Sequence, residues 1–257
     1  MYFDSHCHLD KLDYSQLGSL DSILKEAREA GLVGFVCVAV DPGNWSQVIH
    51  LCESNSDVYG SVGIHPLANE SLQLEGDAFL LAAQHQQIVA IGETGLDYFY
   101  SAHSRQRQIE LFETHIELAT QLQKPLIVHS REAKQDTLDI LSAHASSGIQ
   151  GVLHCFTEDW EMAEQVLDWG WYISFSGIIT FNHAEVLREV VRRVPLSQLL
   201  VETDSPYLTP VPYRGQANHP KHVIEVAKMV AQIKQQPLPT IATTTTENCR
   251  RLFQIAL

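Results

Sequence analysis

The chain has 257 residues, of which 45% are apolar, and a formal net charge of −14. Its length fits one large domain or two small ones, and no apolar stretch approaches the roughly 20 residues of a membrane span. Because a strongly acidic chain does not attract nucleic acid through its overall field, the charge argues against a tight, non-specific duplex binder and leaves room for an enzyme that acts on ends, short strands or small molecules.

Short apolar runs rich in valine and isoleucine alternate with longer amphipathic segments along the chain. Runs that are apolar at nearly every position are typical of strands buried on both faces, as in parallel sheets. The eight predicted strands are Tyr2–Ser5, Gly34–Val40, Val58–Ile64, Ile88–Glu93, Leu126–His129, Gly151–Cys155, Trp171–Phe175 and Leu199–Glu202.

Helical spacing of apolar residues fills the gaps between these runs. Residues that favour helix ends mark several boundaries: Gly31 after the first helix, Asn44 before the second, and an Asn182/Glu185 pair that resembles a capping box. The predicted helices are Leu20–Ala30, Asn44 to about Cys52, Ser101 or Ser104 to about Gln123, Glu132–Ala145, Thr157–Gly170, Val186–Val194, Pro220–Gln236 and Thr246–Ile255.

Strands that alternate with helices over the length of one domain predict an α/β fold, a single (β/α)8 TIM-type barrel over residues 1–257. No low-complexity linker, charge block or repeat divides the chain. The proline-rich stretch Pro206–Pro220 suits a functional loop more than a domain boundary. The alternative is an open, doubly wound sheet.

The five cysteines are odd in number and include no C-x-x-C pair. This favours reduced thiols in a cytoplasmic protein. The N-terminus has no basic region followed by an apolar run, so we expect no secretory signal. Cys7 and Cys155 each adjoin a histidine, but neighbours on a strand face opposite ways, so we expect both to be small core residues.

Histidines and carboxylates follow the predicted strands at the point where each strand ends. In barrels of this kind the chemistry lies at the C-terminal ends of the strands. These side chains are His6 and His8 after the first strand, His65 after the third, Glu93 after the fourth, His129 and Arg131 after the fifth, His154 after the sixth, and Glu202 and Asp204 after the eighth. One such histidine is explained by a hydrogen bond to a loop, but the whole set predicts a shared site on one rim.

Six of these residues have the chemistry of metal ligands, namely His6, His8, Glu93, His129, His154 and Asp204. Four imidazoles and two carboxylates are too many for one tetrahedral zinc ion. They suit two divalent ions, about 3.5–4 Å apart, that share a carboxylate. Ligands of these types accept Mg, Mn or Zn, and also Fe or Co, and the sequence does not choose among them.

Seven motifs occur in order over nearly the whole chain: F-D-S-H-C-H-L-D, V-G-I-H-P, I-G-E-T-G-L-D-Y, P-L-I-V-H-S-R, L-H-C-F-T, V-E-T-D-S-P-Y-L-T-P-V-P-Y-R-G and T-T-E-N-C-R-R-L-F. With these motifs the chain resembles the TatD-type metal-dependent hydrolases, a branch of the amidohydrolase-like barrels often described as deoxyribonucleases. The resemblance implies hydrolysis of DNA phosphodiester bonds, from the ends, by a water activated between two divalent ions.

The resemblance also implies a role for each ligand. His6, His8 and Asp204 would hold the first ion and His129 and His154 the second. Glu93 would bridge the two, and Asp204 would accept the proton of the attacking water.

The chain departs from the family after Y-R-G, where Gln216-Ala217-Asn218-His219-Pro220 replaces a run close to Asn-Glu-Pro. His219 and His222 form an H-x-x-H pair there, which we expect to cap a helix or to be exposed rather than to bind zinc.

The predicted substrate contacts are His65, Arg131, Tyr98 and Arg214, which would hold phosphate or sugar; His65 could instead support the ligands. Phe99, Tyr100 and Phe156 could stack on a base or pack within loops. We expect single-stranded DNA or DNA ends as substrate, with no membrane and no stable protein partner.

Two other functions stay open on the sequence alone. The same centre could hydrolyse an ester or amide bond of a small molecule or an aminoacyl-tRNA. The chain could also be a non-catalytic metal-binding or scaffold protein.

Overall fold

The computed structural model describes residues 1–72, 74 and 76–256, so residue 257 of the predicted domain lies outside it, as do 73 and 75. The strands are β1 (Tyr2–Cys7), β2 (Leu32–Val38), β3 (Val58–Val62), β4 (Ile88–Asp97), β5 (Leu126–Arg131), β6 (Gly151–Leu153), β7 (Tyr172–Phe175) and β8 (Leu199–Val201). The helices are α1 (Tyr14–Leu17), α2 (Leu20–Glu29), α3 (Pro42–Ser54), α4 (Gly76–Ala83), α5 (Tyr98–Ser101), α6 (Arg105–Leu122), α7 (Lys134–His144), α8 (Trp160–Asp168), α9 (Glu185–Arg193), α10 (Val223–Lys234) and α11 (Leu238–Leu252).

The strands form one parallel sheet in chain order, from β1 to β8. The sheet closes where the loop after β8 meets β1. There Asp204 N donates to His6 O at 2.9 Å, and His8 N donates to Ser205 O at 2.8 Å. These bonds complete a nearly closed barrel with helices between its strands. The predicted (β/α)8 barrel is confirmed, and the open sheet is excluded.

Strand β4 is longer than predicted, since it runs to Asp97 rather than to Glu93. The extension pairs with β5, where Asp97 lies opposite Arg131. It contains Gly95 at φ +122°, where a Cβ would lie 2.1 Å from the carbonyl oxygen of His129. Glycine is therefore required for β4 to approach β5 so closely, and in the sequence the same glycine makes the extension look like a turn.

Two helices begin at other residues than predicted because other side chains cap them. Asp41, not Asn44, is the N-cap of α3, and Asn44 is its reciprocal partner in a capping box. Asp159, not Thr157, caps α8, and its carboxylate accepts a hydrogen bond from Met162 N at 3.0 Å. In both cases a carboxylate at the helix start competes successfully with a neutral side chain.

The predicted Asn182/Glu185 capping box is wrong. The N-cap of α9 is Ala184, and no side chain caps the helix start. Arg188, in the first turns of α9, instead donates to the carbonyl oxygen of Phe181 at 2.8 Å. The Arg188 guanidinium therefore fixes the segment that precedes α9. Capping patterns in the sequence do not reveal a contact of this kind.

Helix α11 begins at Leu238, well before the predicted start at Thr246. Four consecutive threonines, at 243–246, have low helix propensity and concealed its first turns. Thr245 Oγ1 donates to Ile241 O at 2.9 Å, so its hydroxyl is satisfied inside the helix.

The short helices α1, α4 and α5 were not predicted. Among the helices described, none combines the length and apolar character that crossing a membrane requires.

Alternate strand residues form an apolar floor beneath the predicted site. Ile127 and Val152 are buried in one cluster that also contains Phe253, just past α11. Each precedes a predicted ligand by two residues: Ile127 precedes His129 on β5, and Val152 precedes His154, which directly follows β6. Residues at this spacing share a face, so the strands that fill the interior also deliver the polar side chains to its rim.

Candidate metal centre

Glu93 lies at the centre of the predicted ligands, and its two carboxylate oxygens face different histidines. Oε2 lies 3.4 Å from Nε2 of His6 and 4.0 Å from Nε2 of His8. Oε1 lies 2.8 Å from Nε2 of His154 and 3.3 Å from Nδ1 of His129. One carboxylate of β4 therefore lies between His6 and His8, at the end of β1, and His129 and His154, at the ends of β5 and β6.

Asp204 lies on the side of the centre that β1 supplies. Its Oδ1 is 3.5 Å from Nε2 of His8 and 3.7 Å from Nε2 of His6. These two imidazole nitrogens are 3.3 Å apart, so both converge on the same space. Asp204 has a φ of +53°, a left-handed conformation that aspartate adopts more readily than most residues.

His65 lies on the opposite side of the centre. Its Nε2 is 3.2 Å from Oε1 of Glu93, and its ring meets that of His129 edge-on, with 4.8 Å between centroids. His65, predicted as a substrate contact, therefore faces the same Glu93 oxygen, Oε1, as the predicted ligands His129 and His154.

Three groups of donor atoms are compact enough to hold a cation, because the atoms of each group lie within 4.8 Å of one another. The groups are His6 with His8 and Glu93, His65 with Glu93 and His129, and His6 with His154 and Glu202. The first two share Glu93, as two cations with a common carboxylate require. Nδ1 of His6 and Oε2 of Glu202 are buried with no hydrogen-bond partner among the described residues, which leaves donor atoms available to a cation.

In His8, His129 and His154, the ring nitrogen that faces away from Glu93 is held by another protein group. Asp97 Oδ2 lies 3.0 Å from His129 Nε2, and Glu202 Oε1 lies 3.3 Å from His154 Nδ1. The second ring nitrogen of His8, Nδ1, lies 2.8 Å from a backbone carbonyl. Such bonds orient an imidazole and leave its other nitrogen free to bind a metal. Glu202 was noticed as a strand-end residue, whereas Asp97 was missed.

The centre favours ionised carboxylates. Burial alone would raise the pKa of Glu93, but the charges of His154 and His65 and the hydrogen bonds around it hold that pKa well below its ordinary value. For Asp204, burial is likewise outweighed by the hydrogen bond to His8 and the charge of His6, which lower its pKa. Both groups are therefore anionic near neutral pH, as metal ligands must be.

The two carboxylates beside His154 stabilise its charged form. Burial would lower its pKa, but Glu93 and Glu202 raise it well above its ordinary value. The surroundings of His154 thus favour positive charge, which a divalent cation would supply.

A cavity of about 730 Å³ opens above the centre. Its walls include Glu93, Asp204 and most of the predicted histidine ligands. Two cationic side chains, Arg131 and Lys11, also line it. Lys11 was missed because it lies in the 3-10 turn after β1, one residue beyond the motif F-D-S-H-C-H-L-D.

The predicted substrate contacts differ in where they lie. Arg131 and His65 line the cavity. Tyr98 and Arg214 are not among its lining residues: Tyr98 Oη donates to Asp136, and Arg214 Nη1 donates to a backbone carbonyl at 2.9 Å. A substrate role for Tyr98 and Arg214 stays a prediction, because neither residue lines the cavity.

Two other expectations concern residues near the centre. Cys7 is buried as expected, but Cys155 is half-buried and lines the cavity. Strand alternation fails for Cys155 because β6 ends at Leu153 and the chain turns at Cys155, where φ is +43°.

The H-x-x-H pair caps a helix, as expected, but is not exposed. The ring of His219 accepts a hydrogen bond from Lys221 N at 3.0 Å, and the ring of His222 accepts one from His219 N at 3.2 Å. Both histidines are buried. They begin the short 3-10 turn Pro220–His222 that leads into α10.

Comparison with known proteins places the chain in a family. The model of the family described as TatD related DNase matches residues 3–254. The chain belongs to the TatD family. Over 254 residues it is 47% identical to the uncharacterized metal-dependent hydrolase YcfH of Escherichia coli (strain K12), an alignment that covers 98% of this chain and 95% of that protein.

Two further TatD relatives are similar over almost their whole length. The uncharacterized metal-dependent hydrolase YabD of Bacillus subtilis is 35% identical over 256 residues, covering 99% of this chain and 100% of that protein. The crystal structure of YjjV, a TatD homolog from Escherichia coli, superposes with a TM-score of 0.90 at 29% identity, covering 99% and 98% of the two chains. The chain therefore spans nearly the whole length of relatives that are named metal-dependent hydrolases.

Proposed function

We propose that the chain is a divalent-metal-dependent deoxyribonuclease that hydrolyses phosphodiester bonds at the ends of DNA. The observation that carries the proposal is Glu93, whose two oxygens face two groups of histidines at the base of a cavity that also holds Arg131 and Lys11. The description of the matching family as TatD related DNase supports the same substrate class.

The donor set fits two divalent cations. His6, His8 and Asp204 would hold one, His129 and His154 would hold the other, and Glu93 would contribute to both. Bound there, such cations would acidify a water molecule and offset the negative charge of a phosphate. Mg, Mn and Zn all suit these ligands.

The residues of the chain supply the proton transfer and the positioning. Asp204, which lines the cavity as an ionised carboxylate, would accept the proton of the attacking water. Asp97 and Glu202 would keep His129 and His154 turned toward Glu93.

Substrate binding would fall to the two cationic side chains that line the cavity. Arg131 and Lys11 would pair with phosphate oxygens. In a chain of net charge −14, this local positive charge would attract a phosphate without making the whole surface a nucleic-acid binder. A cytoplasmic location, in keeping with five free thiols, is part of the proposal.

Cleavage of end-labelled single-stranded DNA tests the function. Metal-stripped protein is given back Mg, Mn or Zn in turn, and we expect products with at least one of them. Asp204→Asn should lower the rate by about 100-fold or more, the usual contribution of a general base, with an unchanged circular dichroism spectrum.

The matched control is Asp139→Asn, which removes an exposed carboxylate from α7 and should cleave at the wild-type rate. Cleavage by Asp204→Asn at the wild-type rate would remove Asp204 from the mechanism. Absence of cleavage with every metal would refute the nuclease.

Hydrolysis of an ester or amide bond is the second candidate. The net charge of −14 favours it, because an acidic surface suits a small substrate better than a polyanion. A screen of ester, amide and phosphodiester substrates with the same metal-loaded protein separates the two candidates.

A further inference from the structure

Two aromatic side chains project into solvent beside the cavity. Phe99 is 50% exposed and Tyr100 is 63% exposed, although large aromatic residues are usually well buried. Their rings meet edge-on, with centroids 4.7 Å apart and planes at 87°. We call this pair the Phe99–Tyr100 platform. Tyr100 also lines the cavity, so the platform adjoins the space above the metal centre.

The platform is held in a fixed relation to the centre. Tyr100 N donates to Asp97 Oδ1 at 2.8 Å, while the other carboxylate oxygen of Asp97 bonds His129. The guanidinium of Arg131 lies 4.1 Å from the ring centroid of Phe99 and 4.7 Å from that of Tyr100. These contacts keep the rings exposed at one place, rather than letting them collapse onto the surface.

We propose that the Phe99–Tyr100 platform stacks on the unpaired base of a nucleotide whose phosphate lies in the cavity. The inference rests on the proposed phosphodiester hydrolysis. Aromatic rings bind bases of any sequence through their faces, and Arg131 adds a cation both to the rings and to the cavity. Because a base within a duplex is already stacked and paired, the platform would favour single-stranded DNA or frayed ends.

The size and charge of the platform favour a base over a protein partner. An aromatic side chain offers about 150–250 Å² when fully buried, so two half-exposed rings fall well short of the roughly 800 Å² per partner of a stable protein interface. Arg131, which contacts both rings, also lines the adjoining cavity, which suits a phosphate attached to the stacked base.

Binding of single-stranded DNA tests the platform. The probes are two short oligonucleotides protected by terminal phosphorothioates, one with all its bases and one with abasic residues at both ends. Fluorescence anisotropy with metal-loaded wild-type protein should give a dissociation constant about 10-fold lower for the base-bearing probe. Phe99→Leu combined with Tyr100→Leu should reduce this ratio to about one, whereas Phe99→Tyr should keep it.

The control is Leu81→Ala, which truncates an apolar side chain on α4 that is 78% exposed, and it should keep the wild-type ratio. A wild-type ratio of one, or an unchanged ratio in the double leucine variant, would overturn the inference. So would self-association of the wild type that the double variant loses, because the platform would then bind a second copy. A base preference in a protein that cleaves no DNA would uphold the platform and refute only the proposed nuclease.

Discussion

Asp97 and Glu202 each hold a predicted ligand by the ring nitrogen that faces away from Glu93. Asp97 bonds His129, and Glu202 bonds both His154 and the backbone N of Cys155 at 2.8 Å. A carboxylate in this position fixes the tautomer of an imidazole and makes its other nitrogen a better donor. Metal affinity should therefore depend on Asp97, although Asp97 belongs to none of the groups compact enough to hold a cation.

Asp97→Ala tests this dependence. Removing the carboxylate frees the His129 ring, so we expect the dissociation constant for Mn or Zn to rise by roughly 10–100-fold. Titration calorimetry on metal-stripped protein measures the change. Asp97→Asn, which keeps an acceptor oxygen, should lose less affinity than Asp97→Ala. Equal affinity in all three proteins would show that Asp97 does not position His129.

The sequence reveals a site residue when that residue continues a regular apolar strand. His129 and His154 end apolar runs, so their position at strand ends was enough to place them on the rim of the barrel. Asp97 was missed because Gly95 interrupts the pattern of β4. The side chain of Tyr98 is directed by Asp136, a partner distant in sequence that no local pattern reveals.

At the scale of elements, His115 ties helix α6 to the end of β3. Its Nε2 accepts a hydrogen bond from Ile64 N at 3.0 Å, and its Nδ1 bonds Leu111 O at 2.7 Å within the helix. The ring is fully buried and meets Phe79 edge-on, with centroids 6.1 Å apart. Ile64 directly precedes His65, so this bond also holds the chain at the edge of the metal centre.

Protonation of His115 should destabilise the protein in mild acid. Burial lowers its pKa to about 4, against about 6.5 in an unfolded chain. Between these values the unfolded state binds more protons, so the free energy of unfolding falls as pH falls below about 6.5. At pH 4.5 the loss from this one group is about 2 kcal/mol.

Urea unfolding at pH 7 and pH 4.5 measures this loss. The free energy of unfolding of wild type should fall by about 2 kcal/mol more than that of His115→Gln, which cannot titrate there. Equal losses in the two proteins would mean that His115 is protonated in the fold or that its bond to Ile64 is not maintained.

Strands were easier to predict than helices for a physical reason. Strands of a parallel barrel are buried on both faces, so each one reads as an apolar run with a clear end. Helix starts depend on which nearby side chain reaches the free backbone N–H groups, and Asp159 does so for α8 where Thr157 was expected. The threonine-rich α11 shows that tertiary burial outweighs intrinsic propensity.

At the scale of the whole molecule, the candidate metal centre forms only when the barrel is closed. Its predicted ligands come from β1, β4 and β5 and from the residues that follow β1, β6 and β8. The backbone bonds between the loop after β8 and β1 bring Asp204 to His6 and His8. Metal bound at such a site stabilises the folded state, because the unfolded chain does not assemble the ligands.

The most direct test of this account is the number of divalent ions bound per chain, measured by elemental analysis after metal loading and dialysis. We predict two ions in the wild type and fewer in Glu93→Ala, because two of the three donor groups share Glu93. Glu113→Ala, which removes an exposed carboxylate from α6, should retain two. Two ions in Glu93→Ala, or fewer than two in the wild type, would contradict a centre built around a shared Glu93.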